Sequence, residues 1–396
     1  MPKLKFNKRQ INKKQLKKKN PKPFFSSGAY GCVYYPEFTC LGKRTNRKFK
    51  ENISKLTINN FYTKNEVEIS NIIRKRIKDK HLLGIHRSCN VSKGKLEQFT
   101  SEHSCPIVEK EGNKNDYVLL YSRFIDNVEA SDFMDVYSNM GTMLVLMDVV
   151  TSKIIKFQKH GIVHNDLHFG NILIEKRGNE KSLKDLYHLS THFRQFKKRI
   201  YIIDYGLSLQ KDKFYVDGAL NKSYLKKLLI GFDPSWKYSS LDFIMLTYCL
   251  YNNRSLSASF VKQIIRHHVN NNEVFQRLPS SFVSNYTNQA IKYYTDLTAS
   301  KSPDDIIRKC LTFWNTWDLY HLCIKYLSII QTVHIRNYKL IMLCLMGIHY
   351  DPHKRPSVQE FKGMMIDVTN SRTHENSTKI TLSKMELKMS SKSRLV

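Results

Sequence analysis

The segment His164-Asn165-Asp166-Leu167-His168-Phe169-Gly170-Asn171 runs directly into Ile172-Leu173-Ile174, and Asp204 closes a second β-prone run, Ile200–Ile203, 33 residues beyond Asn171. A polar loop that runs straight into a short apolar strand, with an acid at the end of a second one, puts its polar side chains at strand ends. An Asp and an Asn five apart on such a loop, with a further Asp ending the neighbouring strand, suit phosphoryl transfer. The first Asp can orient an attacking hydroxyl and accept its proton. The Asn amide oxygen and the second Asp are hard oxygen ligands of the kind magnesium prefers.

The rest of the chain limits what can surround that loop. With 396 residues, 41% of them hydrophobic, there is apolar material for a large core in two lobes or domains. Lys and Arg number 65 against 34 Asp and Glu, a net charge of +31, and these figures with the apolar fraction exclude an acidic tail protein, a collagen and a fully disordered chain. No apolar run approaches a membrane span, and Leu340–Ile348 suits a buried helix. The opening MPKLKFNKRQ lacks the apolar core of a secretory signal, so the expectation is a reducing, intracellular location with most of the eight cysteines free. There is no C-x-x-C pair. His86, Cys89, His103 and Cys105 form a candidate zinc set, although the final His-x-Cys spacing is not that of common fingers.

Along the chain, residues 1–23 read as a disordered basic arm: positions 1–22 hold ten Lys or Arg and no acid. Like charges at that density repel, and counterion release should draw them to nucleic acid or another polyanion. Strands are expected at Gly31–Tyr35, Ile53–Ile58 and Tyr117–Phe124, and a helix at Asn65–Ile77. Lys80–Asp116 reads as a loop-rich insertion. Met143, Leu146, Met147, Val150, Ile154 and Phe157 make a helical stripe over Asn139–Gln158. Strands follow at Asn171–Ile174 and Ile200–Ile203, with a basic insertion at Lys176–Arg199 between them. Helical texture resumes from Ser239 to about Asp367, before a Ser-, Thr- and Lys-rich tail over 370–396.

The loop at 164–171 and Asp204-Tyr205-Gly206 resemble the catalytic loop and D-F-G element of the protein kinase superfamily, with Tyr205 in the Phe position. Ser26-Ser27-Gly28-Ala29-Tyr30-Gly31-Cys32-Val33 resembles the Gly-rich loop, with Ser26 where the first Gly is expected. Gly28 and Gly31 would let backbone amides approach phosphates. Lys55, a cation within the apolar strand Ile53-Ser54-Lys55-Leu56, fits the phosphate-binding lysine, with Lys50 and Lys64 as other registers. Its helix partner would be Glu66 or Glu68. Glu66 is preferred because Ile69 and Ile73 place it beside the buried stripe. Asp242 resembles the buried Asp that braces the catalytic loop, and Asp351-Pro352-His353-Lys354-Arg355-Pro356-Ser357 resembles a late kinase signature whose Arg makes a structural ion pair.

These segments occur in the family's order from about Phe24 to Asp367. In its Lys- and Asn-rich character the chain looks most like Ser/Thr kinases of large DNA viruses such as iridoviruses, related at a distance to vaccinia-related and casein kinases. The resemblance implies a two-lobed α+β kinase fold, with a sheet-rich lobe over 24–126, a helical lobe over 127–369, and ATP and magnesium bound between them. It implies Asp166 as the group positioning a Ser or Thr hydroxyl of a protein substrate, Asn171 and Asp204 on metal, and Lys55 on the α- and β-phosphates. Departures are Asn165 in place of the Arg of H-R-D, His168 in place of a Lys near the γ-phosphate, and no A-P-E stretch after Gly206. Because H-x-D-L-H-x-G-N also resembles aminoglycoside- and choline-type kinases, a small-molecule acceptor stays open. So does a basic, nucleic-acid-associated pseudokinase of a virion.

Overall fold

In the computed structural model the described residues are 24–28, 31–40, 51–92, 105–111, 116–178, 182–190, 192–229, 238–332 and 337–370. The arm expected over 1–23 and the tail beyond 370 lie outside them. The β-branched and aromatic runs near the N-terminus form one antiparallel sheet in the order β1-β2-β3-β5-β4, namely β1 Phe24–Gly28, β2 Gly31–Tyr34, β3 Asn52–Ile58, β4 Arg87–Val91 and β5 Tyr117–Arg123. Register follows the alternation of the sequence: Cys32 pairs with Leu56 and Leu56 with Leu119, so one face collects Cys32, Tyr34, Leu56, Tyr117, Leu119 and Tyr121 into a small core.

Three expectations fail here. Lys80–Asp116 is not simply loop, since it contains β4 and the helix Pro106–Glu111. β4 is an edge strand with Arg87, Ser88 and Asn90 exposed, so it carries too little apolar signal to be read from sequence. The free-thiol expectation also fails, because Cys32 is bonded to Cys105 and Cys40 to Cys89. Spans of 73 and 49 residues hide such pairings from any local spacing rule. With Cys89 and Cys105 committed to disulfides, the zinc set is also lost, and His103 lies outside the described residues.

The chain divides into two units, residues 1–59 with 85–124, and 60–84 with 125–396. Residues 60–84, assigned from sequence to the sheet-rich part, belong to the second unit because Ile69, Ile73 and Leu82 enter its core. That core is built around the helix Met140–Lys159, whose start is fixed by a reciprocal capping box between Asn139 and Thr142. A three-stranded sheet of β6 Asn127–Glu129, β8 Ile172–Glu175 and β9 Ile200–Ile202 lies in this unit, and β7 Ile162–Val163 pairs with β10 Leu209–Gln210. The supposed insertion at Lys176–Arg199 contains two helices, Leu183–Ser190 and Phe193–Lys197, anchored in the core by Leu186 and Phe196. From Leu241 the chain is helical, ending in Val358–Asn370. The result is a mixed α/β protein with a small sheet region and a larger helical part. No helix among the described residues is long and apolar enough to cross a membrane.

Candidate active site

Asn171 stands at the start of β8, where the loop becomes strand. Its carbonyl accepts from the amide of Ile203 at 3.0 Å, which brings Asn171 and Asp204 to the same end of the β8–β9 ladder. The Asn171 side-chain nitrogen donates to the Asp166 carbonyl at 2.9 Å and to Asp166 Oδ2 at 3.2 Å. With both donor directions used on Asp166, the amide oxygen of Asn171 is the atom left for a cation. Asp166, Asn171 and Asp204 are therefore gathered at one place. An amide oxygen beside a carboxylate is a donor set that fits magnesium. Burial raises the Asp166 pKa and the Asp204 charge adds to this, while His168, Lys325 and the Asn171 hydrogen bond oppose it.

The loop is held from beneath by one carboxylate. Asp318, on the helix Trp317–Thr332, accepts the amide of His164 through Oδ2 at 2.8 Å and that of Asn165 through Oδ1 at 2.9 Å. It is fully enclosed, and burial pushes its pKa up to about 6 against the pull of the two amides. This corrects the reading of Asp242 as the brace. Asp242 instead forms a wholly buried ion pair with Arg355 at 2.7 Å and accepts from Trp317 Nε1 at 2.7 Å. Sequence reading missed Asp318. Its one local signal is a lone acid inside the strongly apolar run Trp317–Ile330.

Two further residues fix the loop's path. Asn165 has φ of 63° and Asp204 of 64°, the left-handed region that Asn and Asp tolerate better than most side chains. The Asn165 amide then donates to the Leu207 carbonyl at 3.2 Å, tying the loop to the segment after Asp204. His168 Nδ1 accepts from the amide of Gly170 at 3.1 Å, and its Nε2 is 3.8 Å from Asp166 Oδ1. A Cβ at residue 170 would lie 2.9 Å from His168 Cε1, so any side chain there would displace the His168 ring. Tyr205 is buried, and its hydroxyl, which a Phe would lack, donates to the Ile202 carbonyl at 2.7 Å. His164 is enclosed beside it with Nε2 on the Ile203 carbonyl, and burial lowers its pKa to about 4, so it is a neutral packing residue at pH 7.

The helix Phe61–Ile72 joins the same unit. Asn65 donates to the carbonyls of Gly206 at 3.0 Å and Ser208 at 2.8 Å. Glu66 on this helix is buried, whereas Glu68 is exposed and engaged by Lys213 at 2.6 Å and Gln210 at 3.0 Å. In the sheet unit, Lys55 faces Val33 on β2 and Leu120 on β5. A Cβ at residue 31 would meet the Leu56 carbonyl oxygen at 2.5 Å and Lys55 Cγ at 3.4 Å, so glycine lets β2 close down beside the Lys55 stem. Ser26, Ser27 and Gly28 are on β1, and Gly28 pairs with Gly31; Ala29 and Tyr30 lie outside the described residues. Among the other registers, Lys64 is an exposed helix residue and Lys50 lies outside the described residues.

No protein-family model matches the chain, and no curated protein matches it in sequence. Among solved structures it is similar to one described as titin kinase and its flanking domains, with 12% identity and a TM-score of 0.41 over 89% of this chain and 47% of that one. The chain thus spans about half the length of that neighbour.

Proposed function

We propose that this chain is an ATP-dependent protein serine/threonine kinase with the two-lobed kinase fold. The observation that carries the reading is the joining of Asp166, Asn171 and Asp204 at one strand end, with the Asn171 amide spent on Asp166. Magnesium, held by Asn171 and Asp204, would supply charge neutralisation at the phosphates. Asp166 accepts the proton of the attacking hydroxyl as that oxygen bonds to the γ-phosphorus and the bond to the β-phosphate oxygen breaks, releasing ADP. The resemblance to kinases assigns Lys55 to the α- and β-phosphates with Glu66 as its expected partner, and would set the backbone of Gly28 and Gly31 against the phosphates. Catalysis is positioning plus electrostatics, with no covalent intermediate.

The second reading is a kinase of small hydroxylated molecules, favoured by the His168–Gly170 turn in the H-x-D-L-H-x-G-N form. Radiolabelled ATP offered with a mixture of protein acceptors, and separately with aminoglycosides and choline, distinguishes the two. The proposal predicts label on Ser or Thr of protein. Label on the small molecules alone would replace it with the second reading.

A further inference from the structure

We propose that Asn65 and Asn165 are positioning residues for Asp204, clamping from two sides the turn that follows it. This rests on the kinase reading above, in which Asp204 is a magnesium ligand. Asp204 has φ of 64°, a left-handed backbone that a residue with a side chain keeps only where its surroundings over-determine it. Before it the backbone is fixed by the strand ladder, since the Ile203 amide donates to the Asn171 carbonyl at 3.0 Å. After it the next strand pairing begins only at Leu209, on β10. The turn between, Tyr205 to Ser208, needs another source of order.

Two buried asparagine side chains supply it. Asn65 Nδ2, on the helix Phe61–Ile72, donates to the carbonyls of Gly206 at 3.0 Å and Ser208 at 2.8 Å. Asn165 Nδ2 donates to the carbonyl between them, that of Leu207, at 3.2 Å. Three successive carbonyls are thus taken alternately by the helix and by the 164–171 loop. Both jaws are themselves fixed. Ile69 and Ile73 root the helix in the core, and the Asn165 backbone amide donates to Asp318 Oδ1 at 2.9 Å. An aspartate in either place would have the same shape but, ionised, only acceptors to set against those carbonyls. Without the two amides the turn would lose the partners of all three carbonyls, and Asp204 could relax to an ordinary backbone angle. The oxygen pair that Asn171 and Asp204 offer a cation would then come apart.

The test uses the full chain and a fluorescent, non-hydrolysable ATP analogue, with binding titrated against magnesium. The variants suit their backbones. Asn165→Gly removes the amide where φ is 63°, a conformation glycine adopts without strain. Asn65→Ala removes it from a helix interior that alanine favours. Each should raise the magnesium concentration for half-maximal binding about tenfold, with magnesium-free binding kept. Asn139→Ala, which loses the capping box of the helix Met140–Lys159, is the control for lost stability and should leave that concentration unchanged. A purely structural role would lower the urea midpoints of Asn65→Ala and Asn165→Gly and leave their magnesium requirement at the wild-type value. That result would overturn the inference while the kinase reading stands. Wild type that binds the analogue no better with magnesium than without it would overturn both. Should one variant fail to fold, the other decides.

Discussion

At the residue scale, the shape of the 164–171 segment is decided by side chains that do no chemistry. Asp318 satisfies two buried amides, and Asn165 adopts a left-handed backbone that lets its amide reach Leu207. Asp318 also leaves a pH signature. Its folded pKa, about 6, lies above the ordinary aspartate value of 3.8. Its favourable contribution to stability is therefore complete below the unfolded value and is lost as pH rises through about 6. Between pH 4 and 7 the wild type should lose on the order of 2–3 kcal/mol from this group, a loss absent in Asp318→Asn. Urea unfolding of both proteins across that range checks it; parallel curves would contradict the assignment. Asp166, Asn171 and Asp204 are legible in the sequence because short spacing and strand ends mark them. Asp318 is not, because its partners lie 154 and 153 residues away.

At the element scale, the Asp242–Arg355 pair joins the N-terminus of the helix Leu241–Asn252 to the turn before Val358–Asn370. Both side chains are fully enclosed, and Arg355 also donates to the His349 carbonyl and Thr316 Oγ1. Removing one partner strands a charge in the core. Arg355→Met should therefore cost about 3–5 kcal/mol, while Asp242→Leu/Arg355→Met should cost clearly less than the two single changes summed. Denaturant titration of the four proteins measures the coupling, and simple additivity would deny it. In the sheet unit, each disulfide closes a loop of 73 or 49 residues, worth about 4 kcal/mol in the chain-entropy account. Because one loop lies within the other, the combined effect should fall below the sum. A reducing agent should lower the melting temperature of wild type and leave Cys32→Ser/Cys40→Ser/Cys89→Ser/Cys105→Ser unchanged. The long helix Met140–Lys159 and strands β3 and β5 can be read from periodicity. β4 and the two helices between Lys176 and Arg199 cannot, since each contributes few buried side chains.

At the scale of the whole molecule, charge is the dominant property. The arm over 1–22 holds ten of the 65 basic residues, so the remainder keeps 55 against 34 acids. Deleting the arm should weaken binding to duplex DNA and flatten its salt dependence without abolishing either. The slope should fall by about 0.9 for each phosphate that the arm no longer neutralises. Filter binding by the full chain and by residues 23–396 at several salt concentrations reads this directly. An unchanged slope would mean that the arm is merely solvated. The central claim is chemical, and it turns on Asp166 and Asp204. The most direct measurement is transfer of radiolabel from γ-labelled ATP to protein, with magnesium-dependent nucleotide binding read in the same samples. Asp166→Ala should lower transfer by orders of magnitude and keep nucleotide binding, and Asp204→Ala should lose both. Full transfer by Asp166→Ala would contradict the account.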